Sequence, residues 1–102
     1  MEKMEKQELE KIIKKLESLD IRAWSLKHDA LTAETGGIRF YFNWYGICSL
    51  KIEDTENGFS FSRYPEDKSS KKIFKEFYTK TCGALNKYQK ENLKEKLNNL
   101  LE

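Results

Sequence analysis

The stretch Ile38-Arg39-Phe40-Tyr41-Phe42-Asn43-Trp44-Tyr45 decides the fold. Ile38, Phe40 and Phe42 alternate with Arg39, Tyr41 and Asn43, a period of two that only a strand with one buried and one wet face produces. Thr35-Gly36-Gly37 stands immediately before it. Two glycines between strand formers accept the positive φ of a tight turn, so residues 31–34 pair back on this strand as a hairpin. Further upstream, Trp24 and Leu26 alternate with Arg22, Ser25 and Lys27, and His28-Asp29 makes the turn that follows. Downstream, Gly46 breaks the strand and residues 47–53 make the next one. Asn57-Gly58 turns the chain into residues 59–64, where Pro65 is expected to stop the sheet. Every connection is short, which favours an antiparallel meander of four to five strands over any parallel pairing.

Helices flank this sheet. Leu9, Ile12, Ile13, Leu16 and Leu19 form one stripe at helical spacing within residues 5–19, with Lys and Glu elsewhere. After the sheet, Ser70 is a fair N-cap for a helix carrying Ile73, Phe74, Phe77 and Tyr78 on one face. Gly83 is suited to ending it in a left-handed cap. A third helix, over residues 84–100, is expected to bury Leu85, Leu93, Leu97, Leu100 and Leu101. The expectation is a single α+β domain over residues 1–102: a helix, a meander and two C-terminal helices.

Composition narrows the function classes. A chain that is 38% hydrophobic and 35% charged is polar, yet 13% aromatic residues is too many for a disordered one. Cys48 and Cys82 are distant and in no CxxC spacing, so both read as thiols of a reducing compartment. No apolar h-region stands at the start and no apolar run is long enough to span a bilayer, which points to the cytoplasm.

Catalytic inventory is thin. His28 beside Asp29 lacks a placed nucleophile, although Cys82 ahead of a helix N-terminus could have a lowered pKa. One His and two distant Cys cannot make a zinc quartet. Glu53, Asp54 and Glu56 lack the spacing of a calcium loop, and Lys51 with Glu53 lacks the second acid of a metal-dependent nuclease. We therefore expect no enzyme, cofactor or metal.

Binding remains. Trp24, Leu26, Ile38, Phe40, Phe42, Leu50, Ile52, Phe59 and Phe61 should share the core face of the sheet. Arg22, Arg39, Tyr41, Asn43, Tyr45, Ser49, Lys51, Ser60 and Ser62 should share the other, which is too poor in aliphatics to be a second core. Tyr and Arg are the residues most enriched in interface hot spots. Arg39, Tyr41, Asn43, Tyr45 and Lys51 are thus the expected contacts for a protein partner. Very small size and a Lys/Glu/Asn-rich composition suit an inhibitor or antidote from a phage or mobile element, of anti-CRISPR or immunity-protein type, that blocks a bacterial complex. The alternative is nucleic acid. Residues 68–102 hold nine Lys against four Glu. Lys68, Lys71 and Lys75 lie on one side of their helix, and Lys87, Lys90 and Lys94 on one side of theirs; either these lysines or the Tyr/Arg sheet face could meet a nucleic acid. A homodimer paired through the C-terminal helices or a sheet edge, and a small-molecule binder, complete the set.

Overall fold

The computed structural model describes residues 2–27, 30–43 and 48–102. The chain runs β1 (Glu2–Met4), α1 (Lys6–Glu17), a 3₁₀ turn (Ile21–Ala23), β2 (Trp24–Lys27), β3 (Ala30–Thr35), β4 (Ile38–Asn43), β5 (Ser49–Asp54), β6 (Phe59–Pro65) and α2 (Lys68–Leu101). It is an α+β protein with one six-stranded sheet in the order β1-β6-β5-β4-β3-β2.

The meander is as the alternation requires. Gly36 and Gly37 take φ of 56° and 78°, so Thr35 sits opposite Ile38 and the β3–β4 register is locked. At the next hairpin Asp54 organises the turn. Its carboxylate accepts from the Glu56 and Asn57 amides, both at 3.0 Å, and Gly58 adopts φ 76°. Cross-strand register then stacks Trp24, Ala33, Phe40, Ile52 and Phe61 in one row, and Leu26, Leu31, Phe42, Leu50 and Arg63 in the next, all on one face.

Helices cover that face. Leu9, Ile13 and Leu16 of α1 and Phe74, Phe77 and Leu85 of α2 join Trp24, Leu31, Phe42 and Leu50 in one buried cluster. Phe42 is its centre, with ring centroids 5.4 Å from Phe74 and 5.3 Å from Phe77. Trp24 closes the group edge-on to Phe77 at 5.6 Å. Aromatic pairs of this kind add about 0.5–1.5 kcal/mol each beyond area burial.

Four expectations need correction. The sheet has a sixth strand: β1 pairs in parallel with β6, Met4 beside Pro65, so the sheet is mixed. Met4 is fully buried there, and Pro65 ends β6 with its missing N–H at no cost to the antiparallel ladder. The cap of the last helical stretch is Asp67, whose carboxylate accepts from the Ser70 amide at 3.1 Å and the Ser70 hydroxyl at 2.6 Å. Ser70 is thus a buried partner of the cap two residues inside the helix. Gly83 does not end that helix. α2 is one helix of 34 residues, giving two helices in all among the described residues. Burial of Phe74 and Phe77 before the glycine and Leu85 after it outweighs a propensity penalty of about 1 kcal/mol.

The last correction follows from the third. Of the five leucines expected to be buried at the C-terminal end, only Leu85 is. Leu93, Leu97, Leu100 and Leu101 are 68%, 53%, 83% and 78% exposed. At ~1.5 Å per residue, 34 residues make a rod of about 51 Å, close to the 53 Å long axis of the molecule. The radius of gyration is 15.3 Å, against ~13 Å for a compact chain of this length. Phe59 and Phe61, on the helix-covered side, are also exposed, because α1 and α2 leave that corner of the sheet open.

Candidate functional site

The other face of the sheet is covered by no described element. Its rows follow from the register: Glu34, Arg39, Glu53 and Ser60; then Ser25, Thr32, Tyr41, Lys51 and Ser62; then Lys27, Ala30, Asn43 and Ser49. Strand alternation alone places these side chains together.

Arg39 is the hub. Its Nε and Nη2 donate to one Glu34 oxygen at 3.2 and 3.0 Å, and its Nη1 donates to the Tyr41 hydroxyl at 3.2 Å and to Glu53 at 3.4 Å. Those contacts, with the Tyr41 hydroxyl first and Glu34 second, push the guanidinium further above its already high ordinary pKa. Lys51 completes the circuit, 3.8 Å from Glu53 and with its ammonium 5.2 Å from the centroid of the Tyr41 ring. Two cations are matched by two carboxylates, so the patch is polar, structured and locally neutral. Each exposed pair contributes little stability, about 0–1 kcal/mol. Together they link Glu34, Arg39, Tyr41, Glu53 and Lys51 in one network.

Beside this network lies a shallow hollow of ≈ 420 Å³, lined by Arg22, Ser25, Lys27, Thr32, Glu34, Arg39 and Tyr41 among others. Ser25 and Thr32 floor it, their hydroxyl oxygens 2.6 Å apart while Thr32 also donates to the Ser25 carbonyl at 3.2 Å. Arg22 reaches its rim from the 3₁₀ turn rather than from a strand. Asp20 caps that turn and holds the Arg22 guanidinium at 3.0 and 3.2 Å, which corrects the expectation that Arg22 belongs to the sheet face.

Of the five expected partner-binding residues, Arg39, Tyr41, Asn43 and Lys51 stand on this face, half-buried, and Tyr45 lies outside the described residues. Glu34 and Glu53 were missed as members of the site. The signal was available, since the turn at Gly36-Gly37 sets Glu34 opposite Arg39, and Arg39 opposite Glu53.

The other candidates separate. Cys82 is inside α2 and half-buried, and burial raises its thiol pKa, contrary to the lowered value expected of a helix N-terminus. Burial likewise pushes the Cys48 thiol up to about 11. His28 and Asp29 lie outside the described residues. Glu53 faces the open sheet while the neighbouring Asp54 is engaged by Asn57, so the acidic run is not a ligand cluster. Among the described residues no three His, Cys, Asp or Glu side chains come together as a metal site, and no helix is long and apolar enough to cross a membrane. A second hollow of ≈ 360 Å³ opens between α1, the 3₁₀ turn and α2, lined by Leu16, Leu19, Ile21, Trp24, Phe77 and Ala84 among others. It is at the small end for a ligand pocket, with few convergent polar groups.

All six candidate lysines are exposed on α2. Because α2 is continuous, their relative placement follows from the step of about 100° per residue. Lys68, Lys71 and Lys75 form one ridge, and Lys87, Lys90 and Lys94 another about 100° around the axis from it. The two ridges do not present a single basic stripe.

Comparison with protein-family models, curated proteins and solved structures finds no match to this chain.

Proposed function

We propose that this chain is a small, non-enzymatic protein-binding module of the cytoplasm. In this reading it is an inhibitor or antidote, of anti-CRISPR or immunity-protein type, that docks on a bacterial protein complex through the open face of its sheet. One observation carries the reading: Arg39, Tyr41 and Lys51 are linked by hydrogen bonds and ion pairs on an uncovered face, with the two cations charge-balanced by Glu34 and Glu53. Preorganised Tyr and Arg side chains lose little entropy when a partner arrives, which is what distinguishes a hot spot from a solvated strand. The same neutrality speaks against nucleic acid on this face. A phosphate backbone would have to displace two carboxylates to reach the cations, whereas its affinity comes from unpaired positive charge. The reading assigns no catalytic group and no cofactor.

The test is differential capture from a low-GC bacterial lysate treated with nuclease. Three baits are compared: the native chain, a Tyr41→Ala/Lys51→Glu variant, and a variant with Lys68, Lys71, Lys75, Lys87, Lys90 and Lys94 all changed to Glu. The expected result is a protein complex retained at high salt by the native and lysine-reversed chains and lost with the sheet-face variant. Loss with the lysine-reversed variant alone, together with collapse in salt or nuclease, overturns the proposal and moves the interface to α2. The sheet-face variant keeps a melting temperature close to native, because neither side chain is in the buried cluster.

A further inference from the structure

The exposed leucines of α2 are not an extension of its buried face. Counting about 100° per residue, Leu93, Leu97, Leu100 and Leu101 centre roughly 130° around the axis from the line of Leu85, Tyr88 and Asn92 that follows the body. No lengthening or resettling of α2 on its own sheet covers them, because they look away from it. Their spacing, four residues and then three, is that of a helix–helix seam. Four large apolar side chains, none less than 53% exposed, make a contiguous strip of the kind that marks an interaction site.

We infer that this strip pairs with the same strip of a second copy, antiparallel, about a two-fold axis at Leu97. Two features of the sequence select that occupant and direction. First, the strip is near-symmetric about Leu97. Turning the helix end for end sets Leu97 against its own copy and Leu93 against the Leu100–Leu101 pair, the self-complementarity that a two-fold contact demands. Second, the charges are one-sided. Before Leu97, residues 90–96 hold three Lys (Lys90, Lys94, Lys96) against two Glu (Glu91, Glu95), a net of +1, while after it residues 98–102 hold only Glu102, a net of −1. In a parallel pair each segment meets its own copy at the same level, like net charge against like, which is unfavourable. In the antiparallel pair the net-positive segment of each copy comes level with the net-negative one of the other: Lys96 lies level with neutral Asn98, Lys94 with Leu100, and Glu102 with Asn92, between Lys90 and Lys94. The contact spans about three turns and is smaller than the roughly 1,000 Å² of a stable interface, so the pair is weak and concentration-dependent. It leaves both open sheet faces unused, and therefore stands or falls independently of the function proposed above.

Sedimentation of the native chain between about 1 µM and about 1 mM is the first measurement. The average mass is expected to climb from that of one chain toward that of two. A Leu93→Glu/Leu97→Glu variant is expected to stay at the mass of one chain throughout, with the native circular dichroism spectrum. Direction is read by oxidising an equimolar mixture of Leu93→Cys and Leu100→Cys chains. The antiparallel pair yields the mixed disulfide in excess of either self-linked product. Constant single-chain mass over the whole range, a dimer that survives the double Glu variant, or self-linked products in excess each overturn the inference.

Discussion

The two halves of α2 share one continuous helix and a similar lysine content, yet they stand in opposite situations. Through residue 85 the helix lays Phe74, Phe77 and Leu85 on the sheet, and its N-terminus is tied by Asp67 and Ser70. Beyond Tyr88, the leucines turn to another side of the rod and lie outside the buried cluster of the described residues, with Leu100 and Leu101 the most exposed large apolar residues described. Amphipathic periodicity announces that a helix has a face to bury. It does not say against what. In the first half the answer is inside the chain, and in the second it has to come from outside.

This contrast can be broken at its strongest point first. Phe74→Ala removes a fully buried ring that meets Phe42, and we expect a loss of about 3–5 kcal/mol in urea unfolding, most of the stability of a domain this small. Ser70→Ala leaves the Asp67 cap without its buried hydroxyl donor and is expected to cost about 1 kcal/mol. The Asp67 carboxyl is held below its ordinary pKa, chiefly by the Ser70 hydroxyl and then by the Ser70 amide. Its stabilising share is therefore complete above the unfolded pKa near ~4 and disappears as pH falls through the folded value. Native and Ser70→Ala stabilities should converge as the pH drops below 4, and a constant gap between them would count against the cap. Gly83→Ala works in the opposite direction. A Cβ there meets nothing within 4 Å, so the helix should gain about 0.5–1 kcal/mol. Smallest of all, Leu97→Ala in dilute solution should change stability by less than about 0.5 kcal/mol, since the leucine is exposed and outside the buried cluster. A loss as large as that of Phe74→Ala would erase the distinction between the halves.

How much of this was legible beforehand depends on the range over which each feature is determined. Gly36-Gly37 and Asn57-Gly58 set the hairpins locally, and from them the alternation of Ile38, Phe40 and Phe42 sorts the sheet into a core face and a polar face. Arg39, Tyr41, Asn43 and Lys51 followed directly. Gly83 misled because its local preference was read without the anchors on either side of it, and Leu93 to Leu101 misled because a stripe was equated with a core. Only Met4 among Glu2, Lys3 and Met4 is apolar, so nothing in that segment is a strand signal. Its conformation is imposed by the edge of β6 that it completes.

That edge strand has a kinetic consequence. β2 to β6 are joined by tight or short connections, so each pairing closes a small loop, and the meander can assemble from the Gly36-Gly37 hairpin outward at modest entropic cost. β1 has no such partner nearby. Lys3 must find Tyr64, with α1 and most of the sheet between them in sequence, and it can dock only after β6 exists. Of the six strands, β1 is thus expected to be the last protected on refolding, and until it arrives the β6 edge from Arg63 to Pro65 is open to any other chain.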